Sequence, residues 1–136
     1  MPYKIEERSV NTRMTIRSRT QEQLFTDAFL GMMYLLKPVQ NFRQEKVERE
    51  ISLESLDTPT LLTDFLNEVL SLSIKNNEFY THLIFYNIKP TILRVRLSGF
   101  TLESFHREIR SIVCYEALPK REITEVWEAV LIFDVQ

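Results

Sequence analysis

The chain has 136 residues, of which 44% are hydrophobic and 26% charged, with a formal net charge of −2. These values are typical of a globular protein with a single domain, here residues 1–136, and they exclude the strongly basic composition of a protein that binds nucleic acid by bulk electrostatics. Gly31 and Gly99 are the only glycines, which excludes phosphate-binding loops of the GxGxxG and GxxxxGKS types.

The N-terminal part of the chain shows a strand pattern followed by a helix pattern. In residues 13–19, Met14 and Ile16 alternate with four polar side chains, which predicts a strand with one face on the core. Residues 20–36 carry apolar side chains at helical spacing, and Thr20 is a suitable N-cap. A helix is therefore predicted over 20–36.

A second strand and a second helix follow. Residues 46–54 alternate, and one face carries Val47, Arg49, Ile51 and Leu53. Residues 58–74 have an apolar stripe at helical spacing and a proline in the first turn, with Asp57 or Thr58 as the N-cap. These features predict a helix over 58–74.

The rest of the chain alternates with a period of two, which predicts four further strands. They cover residues 78–88, 91–99, 108–118 and 126–135, with a short connection at Lys89-Pro90 and a polar linker at 119–125. One-sided alternation suits an antiparallel or mixed sheet. The predicted fold is α+β, with two helices packed on a mostly antiparallel sheet of six or seven strands. Ten apolar side chains are expected in its core: Leu24, Phe29, Met32, Leu62, Phe65, Leu66, Val69, Val95, Val113 and Leu131.

Cysteine content and hydropathy indicate the compartment. Cys114 is the single cysteine, so neither an intramolecular disulfide nor a cysteine-based zinc cluster can form. The N-terminal residues are charged where a signal peptide needs an apolar core, and no apolar stretch approaches the ~18 residues of a membrane span. We therefore expect a cytoplasmic protein without a membrane segment.

Four segments, in this order, resemble the archease family. TIRSRTQEQLFTDAFLGMMYLL is similar to the strand and first helix of archeases, and LLTDFLNEVLSLS to their LL-x-D-aromatic-L-N-E-L-L helix. EIRSIVCYEAL resembles the family strand that usually reads E-I-K-A-V-T-Y-H, and WEAVLIFDV resembles the last strand, which ends in a near-terminal aspartate. The resemblance covers nearly the whole chain.

The resemblance implies an accessory protein rather than an enzyme. Archeases assist the RtcB-type RNA ligases of tRNA splicing and RNA repair, and promote guanylylation and multiple turnover of the ligase. On this basis the partner of the chain is an RtcB-type ligase, and the chain contacts RNA only indirectly, through that ligase. A homo-oligomer is also compatible with the sequence. The alternative is a diverged archease-fold interaction or scaffold protein that has lost ligase activation and metal binding. A metal-dependent nuclease or phosphoesterase is disfavoured because clustered acids are absent.

The chain departs from the family at its metal-binding motif. Archeases bind a divalent cation, calcium or manganese, through acidic residues near the N-terminus and at the C-terminal aspartate. Counting without gaps, the histidine of the family's His-Thr-Ala-Asp motif falls at Val10 and its aspartate at Arg13, and neither side chain can ligate a hard cation. The family lysine of the E-I-K-A strand becomes Arg110, which exchanges a compact ammonium for a planar fork. Asp134 matches the family aspartate.

The candidate site residues leave several alternatives open. Asp134 is a metal ligand, a solvated strand end, or the partner of Arg13 or Arg110 in a salt bridge. A metal site would need Glu6 or Glu7 to supply the missing oxygens. We expect Arg13, Arg110 and Asp134 to converge at one end of the sheet and to favour anions over divalent cations.

His106 and the remaining arginines can also be interpreted in more than one way. His106 is a surface-loop histidine or a contact for an anionic ligand. Five arginines lie on the polar faces of two predicted strands: Arg13, Arg17, Arg19, Arg94 and Arg96. They form one basic patch if the strands are neighbours, unless glutamates pair with them across the sheet.

Overall fold

The computed structural model describes residues 3–8, 11–39, 45–120 and 126–136, with the backbone alone described for 115–120. Val10 and residues 121–125 of the predicted linker lie outside the described residues. The described elements are β1 (Tyr3–Glu7), β2 (Thr12–Ser18), α1 (Gln21–Leu36), β3 (Pro38–Val39), β4 (Lys46–Glu54), α2 (Thr58–Asn76), β5 (Glu78–Lys89), β6 (Ile92–Thr101), β7 (Ser104–Phe105), β8 (Ile109–Lys120) and β9 (Val126–Val135).

Both predicted helices are confirmed, and local capping explains where they begin. The Thr20 hydroxyl accepts a hydrogen bond from the Gln23 N–H at 3.0 Å, and the Asp57 carboxylate accepts one from the Thr60 N–H at 2.8 Å. Hydrogen bonding to the Thr60 side chain, and then to its N–H, holds the pKa of Asp57 below its ordinary value. Asp57 rather than Thr58 is therefore the N-cap of α2.

The α+β class is confirmed, but the strands do not form one sheet. They form a four-stranded sheet of order β1-β2-β9-β8, a three-stranded sheet of order β4-β6-β5 and a short β3-β7 pair, and all these pairings are antiparallel. Helix α1 contacts β2 and β5, and α2 contacts β8 and β4. Each helix therefore packs against both of the larger sheets.

One apolar core joins the helices and both larger sheets, and nine of the ten expected core residues are fully buried in it. Val113 is the exception, with 48% of its surface exposed. A bulge between Ile109 and Ser111 shifts the alternation of β8, so that Ile109 and Ile112 face the core. Val113 instead opposes Ile132 on the outer face. No helix among the described residues is long and apolar enough to cross a membrane.

Candidate functional site

Arg13, Arg110 and Asp134 lie at one end of the four-stranded sheet, and we call them the Asp134 cluster. Arg13 on β2 is opposite Ile132 on β9, and Asp134 is two residues further along β9 on the same outer face. On β8, Ile109 opposes Val135 and Ser111 opposes Asp134. Arg110 is thus the extra residue of the bulge beside Asp134. Strand pairing therefore places these three residues at the same end of the sheet, where they were expected to converge.

Asp134 is not engaged by either arginine. Its Oδ1 accepts a hydrogen bond of 2.9 Å from Nε2 of Gln136, and no ion pair joins it to Arg13 or Arg110. The salt-bridge alternative is therefore not the arrangement of this structure. Both guanidiniums keep donors for another group.

Two buried polar atoms beside Asp134 have no hydrogen-bond partner among the described residues. They are Nε of Arg13, a donor, and Oδ1 of Asn11, an acceptor. Thr12 opposes Phe133, so Asn11 comes next to the position of Asp134 along the ladder. A buried unpaired polar atom costs about 1–3 kcal/mol and calls for a ligand or partner atom.

The described residues do not fit the divalent cation that the family resemblance implies. Within them, no three His, Cys, Asp or Glu side chains are grouped so that they could hold a metal ion. Calcium needs six to eight oxygen ligands, and manganese also prefers carboxylate oxygens. Asp134 offers one carboxylate, and the neighbouring Arg13 and Arg110 would repel a cation.

The structure does not bring Glu6 and Glu7 together with Asp134. Glu6 on β1 is opposite Arg13, but its carboxylate lies 3.8 Å from the Arg8 guanidinium. Glu7 belongs to the opposite face of the strand and accepts a 3.0 Å hydrogen bond from Arg107. Neither glutamate supplies the missing oxygens in this arrangement.

His106 lies in the loop that leads to β8. Its backbone N–H donates to the Lys37 carbonyl at 2.9 Å, which attaches the loop to the end of α1. Its imidazole is exposed and makes no hydrogen bond with the described part of the chain. His106 thus stays a candidate contact for an anionic partner.

The five arginines do not form one patch, because β2 and β6 belong to different sheets. On β6, Arg94 lies 2.7 Å from Glu50 and Arg96 lies 3.7 Å from Glu48. Both guanidiniums also lie over the Tyr86 ring, at 5.2 and 5.6 Å from its centroid. On β6, glutamates of the neighbouring strand β4 therefore neutralise the arginines, as the second alternative expected.

Sequence reasoning missed a partly buried network formed by Arg49, Glu78 and Tyr80, in which Glu78 and Tyr80 are buried and Arg49 is half-exposed. Arg49 donates two hydrogen bonds to the Glu78 carboxylate, at 2.9 and 2.8 Å, and the Tyr80 hydroxyl donates a third at 2.7 Å. The bonds from Arg49 hold the pKa of Glu78 below its ordinary value, while burial and then Glu78 raise that of Tyr80. The one signal in the sequence was an arginine on the apolar face of β4. The network links β4 to β5 across β6.

The sequence model of the archease protein family (MTH1598/TM1083) matches residues 3–135. The chain belongs to the archease family. Two solved structures share its fold. One is the crystal structure of an archease, "possible chaperone" (TM1083), from Thermotoga maritima, with 16% identity, a TM-score of 0.64 and coverage of 96% of this chain and 95% of that chain. The other is the solution structure of Methanobacterium thermoautotrophicum protein 1598, with 16% identity, a TM-score of 0.64 and 98% coverage of both chains. No curated protein matches this archease-family chain.

Proposed function

We propose that this chain binds an RtcB-type RNA ligase and promotes guanylylation and multiple turnover of that ligase in tRNA splicing or RNA repair. The observation that carries the proposal is the archease family match over residues 3–135. In this function the chain is a cytoplasmic accessory protein without turnover of its own. RNA reaches it only through the ligase.

We assign the contact with the ligase to the Asp134 cluster. Arg13 and Arg110 present planar donor forks suited to phosphate and carboxylate oxygens. The guanidinium of Arg13 makes no ion pair or hydrogen bond with the described residues, so its donors other than the buried Nε remain available to such a group. The cluster then recognises an anionic group of the ligase, and an anion takes the place of the cation that other archeases bind.

Transfer of labelled GMP from GTP to the ligase of the same organism tests this function. The purified chain should accelerate ligase guanylylation, and Arg13→Ala should reduce the acceleration by about tenfold or more, since a charged hydrogen bond contributes about 1.5–3 kcal/mol. Arg17→Ala is the matched control, because Arg17 lies on the same face of β2 and pairs with Glu128 at 3.4 Å. An unchanged guanylylation rate with the intact chain would refute the proposal. Equal losses in the two variants would exclude the assigned cluster.

A diverged interaction or scaffold protein is the second candidate. The observation that favours it is Arg13, which stands where archeases carry the metal-binding aspartate. This function predicts that the immobilised chain does not retain the ligase. It also predicts that the chain binds another protein, or itself, with an affinity that Arg13→Ala does not change. Sedimentation velocity of the pure chain measures self-association directly.

A further inference from the structure

A pocket of about 620 Å³ opens beside the C-terminal half of α1, and its described lining is almost wholly apolar. Leu30, Met33 and Tyr34, which lie three and four positions apart on α1, form one wall, and β1 and β5 border the other sides. The pocket is separate from the Asp134 cluster. Tyr3, the β1 residue of its lining, opposes Ile16 and so belongs to the inner face of the four-stranded sheet.

The pocket meets β1 and β5 at their outer edges. Tyr3 of β1 lines it, and so do three consecutive residues of β5, Phe79, Tyr80 and Thr81. None of the described lining residues belongs to β2 or β6, the strands that pair with β1 and β5. Successive side chains of a strand point to opposite faces, so consecutive residues line a pocket together where it meets the edge of the strand. No described strand pairs with either of these outer edges.

Of the two edges, that of β1 is the regular one. The whole of β1 pairs with β2 without a shift of register, whereas β5 has a shift between Tyr80 and His82, where it meets the pocket. Bulges protect strand edges against further pairing, and β1 lacks one. Because Gly31 has no side chain, β1 also lies close against α1: a Cβ on Gly31 would be 3.3 Å from Cδ1 of Tyr3. A regular row of main-chain N–H and C=O groups therefore borders the pocket along β1.

The side chains around this edge suit a strand whose apolar residues alternate with polar ones. Ile5 of β1 packs on the core, while Leu30 and Tyr34 keep 36% and 58% of their surface exposed at the pocket. On the other face of β1, Lys4 lies 3.7 Å from Glu6 in an exposed ion pair. A strand added beside β1 would direct one set of alternate side chains to the apolar pocket and the other set to these charges.

We propose that an extended segment of a partner protein adds to the outer edge of β1 as a fifth strand and places alternate apolar side chains in the pocket. In this mode main-chain hydrogen bonds provide affinity, and pockets for alternate side chains provide specificity. A helix or a small apolar molecule would fill the pocket but leave the main-chain groups of the edge unused. This contact is additional to the one assigned to the Asp134 cluster.

The size of the site favours a short segment over a second copy of the chain. The pocket has nine described lining residues, and β1 has five residues. A standard interface between two folded proteins has about 20–30 residues on each side. A single added strand matches the smaller surface.

Selection from a phage-displayed library of random dodecapeptides on the immobilised full chain tests the proposal. Enriched peptides should carry apolar residues at every second position, and the most enriched one, once synthesised, should bind one per chain in calorimetry. Leu30→Glu should weaken this binding by about tenfold or more, because it places a charge in the apolar wall. Ile74→Glu, at a similarly exposed position of α2, should leave it unchanged. Tyr34→Glu, at a more exposed position of the same wall, is the second pocket variant.

Methylation of the peptide main chain separates pairing with β1 from simple filling of the pocket. Two forms of the selected peptide carry methyl groups on alternate sets of amide nitrogens, because alternate N–H groups of a strand point to the same edge. At least one form should bind about tenfold or more weakly than the parent, since about two main-chain hydrogen bonds are lost. The side chains are the same in all three peptides.

Three results would overturn the proposal. The first is enrichment on the wild type that does not exceed enrichment on Leu30→Glu. The second is helical spacing of the apolar residues in the enriched peptides, or equal affinity of the parent and both methylated forms. The third is a dimer in sedimentation velocity that Leu30→Glu dissociates and Ile74→Glu does not, because a second copy of the chain would then occupy the pocket. Thermal melts of each variant verify that the fold is intact.

Discussion

Replacement of Phe65 by alanine should destabilise the fold strongly. Phe65 projects from α2 and is fully buried, with its ring centroid 5.8 Å from that of Phe25 and 6.4 Å from that of Phe29. A Phe→Ala change in a core costs about 3–5 kcal/mol through lost burial and the remaining cavity. Each aromatic pair adds about 0.5–1.5 kcal/mol beyond burial, so the upper half of that range is expected. This is a large part of the roughly 5–15 kcal/mol that stabilises a typical domain.

Urea titration followed by circular dichroism and by Trp127 fluorescence measures this loss. Phe65→Leu keeps most of the volume and should cost less than about 1.5 kcal/mol. Ile74→Ala is the matched control on the same helix, where the side chain is 49% exposed, and it should change the free energy of unfolding by about 0.5 kcal/mol or less. A loss below ~1 kcal/mol for Phe65→Ala would mean that α2 packs with a different face inward.

Three further predictions concern pH, ions and the close approach of two strands. The pKa of Glu78 is lowered in the folded state, so its stabilising effect is present above the ordinary glutamate pKa of about 4.3 and is lost as pH falls through the folded value. The urea midpoint should therefore fall more steeply below about pH 4.3 in the wild type than in Glu78→Gln, and parallel curves would contradict this. In calorimetry the chain should bind phosphate and bind calcium and manganese poorly; micromolar cation binding that Asp134→Ala abolishes would show that a family-type metal site survives. Gly99→Ala should lower the urea midpoint because its Cβ would collide with the Phe79 carbonyl, and an unchanged midpoint would mean that β5 can move away at no cost.

Local signals in the sequence predicted the helices and most strands, because caps and apolar spacing act within a few residues. Helix α1 was predicted over 20–36 and α2 over 58–74, against Gln21–Leu36 and Thr58–Asn76 in the structure. The division into separate sheets was not predicted. It depends on pairing between distant segments, such as β2 with β9, and alternation does not specify a partner. Val113 was misplaced because a bulge breaks the period of two.

The candidate site was only partly predictable, for the same reason. The positions of Arg13, Arg110 and Asp134 came from the family resemblance, and their common end of the sheet follows from the pairing of β2, β8 and β9. The ion pair of Arg49 with Glu78 joins residues 29 positions apart. No pattern in the sequence predicts that these two residues are partners. The sequence did not predict the apolar pocket beside the C-terminal half of α1, because segments that only the tertiary fold brings together form its lining.

Multiple-turnover ligation of RNA by the RtcB-type ligase of the same organism tests the proposed function most directly. With the ligase limiting, the amount of joined RNA per ligase should exceed one and continue to rise when this chain is present at substoichiometric concentration. The Arg13→Ala variant should leave the reaction near its level without the chain, and Arg17→Ala should behave as the wild type does. Ligation that stays at the same level with and without the intact chain would contradict an accessory function toward this ligase.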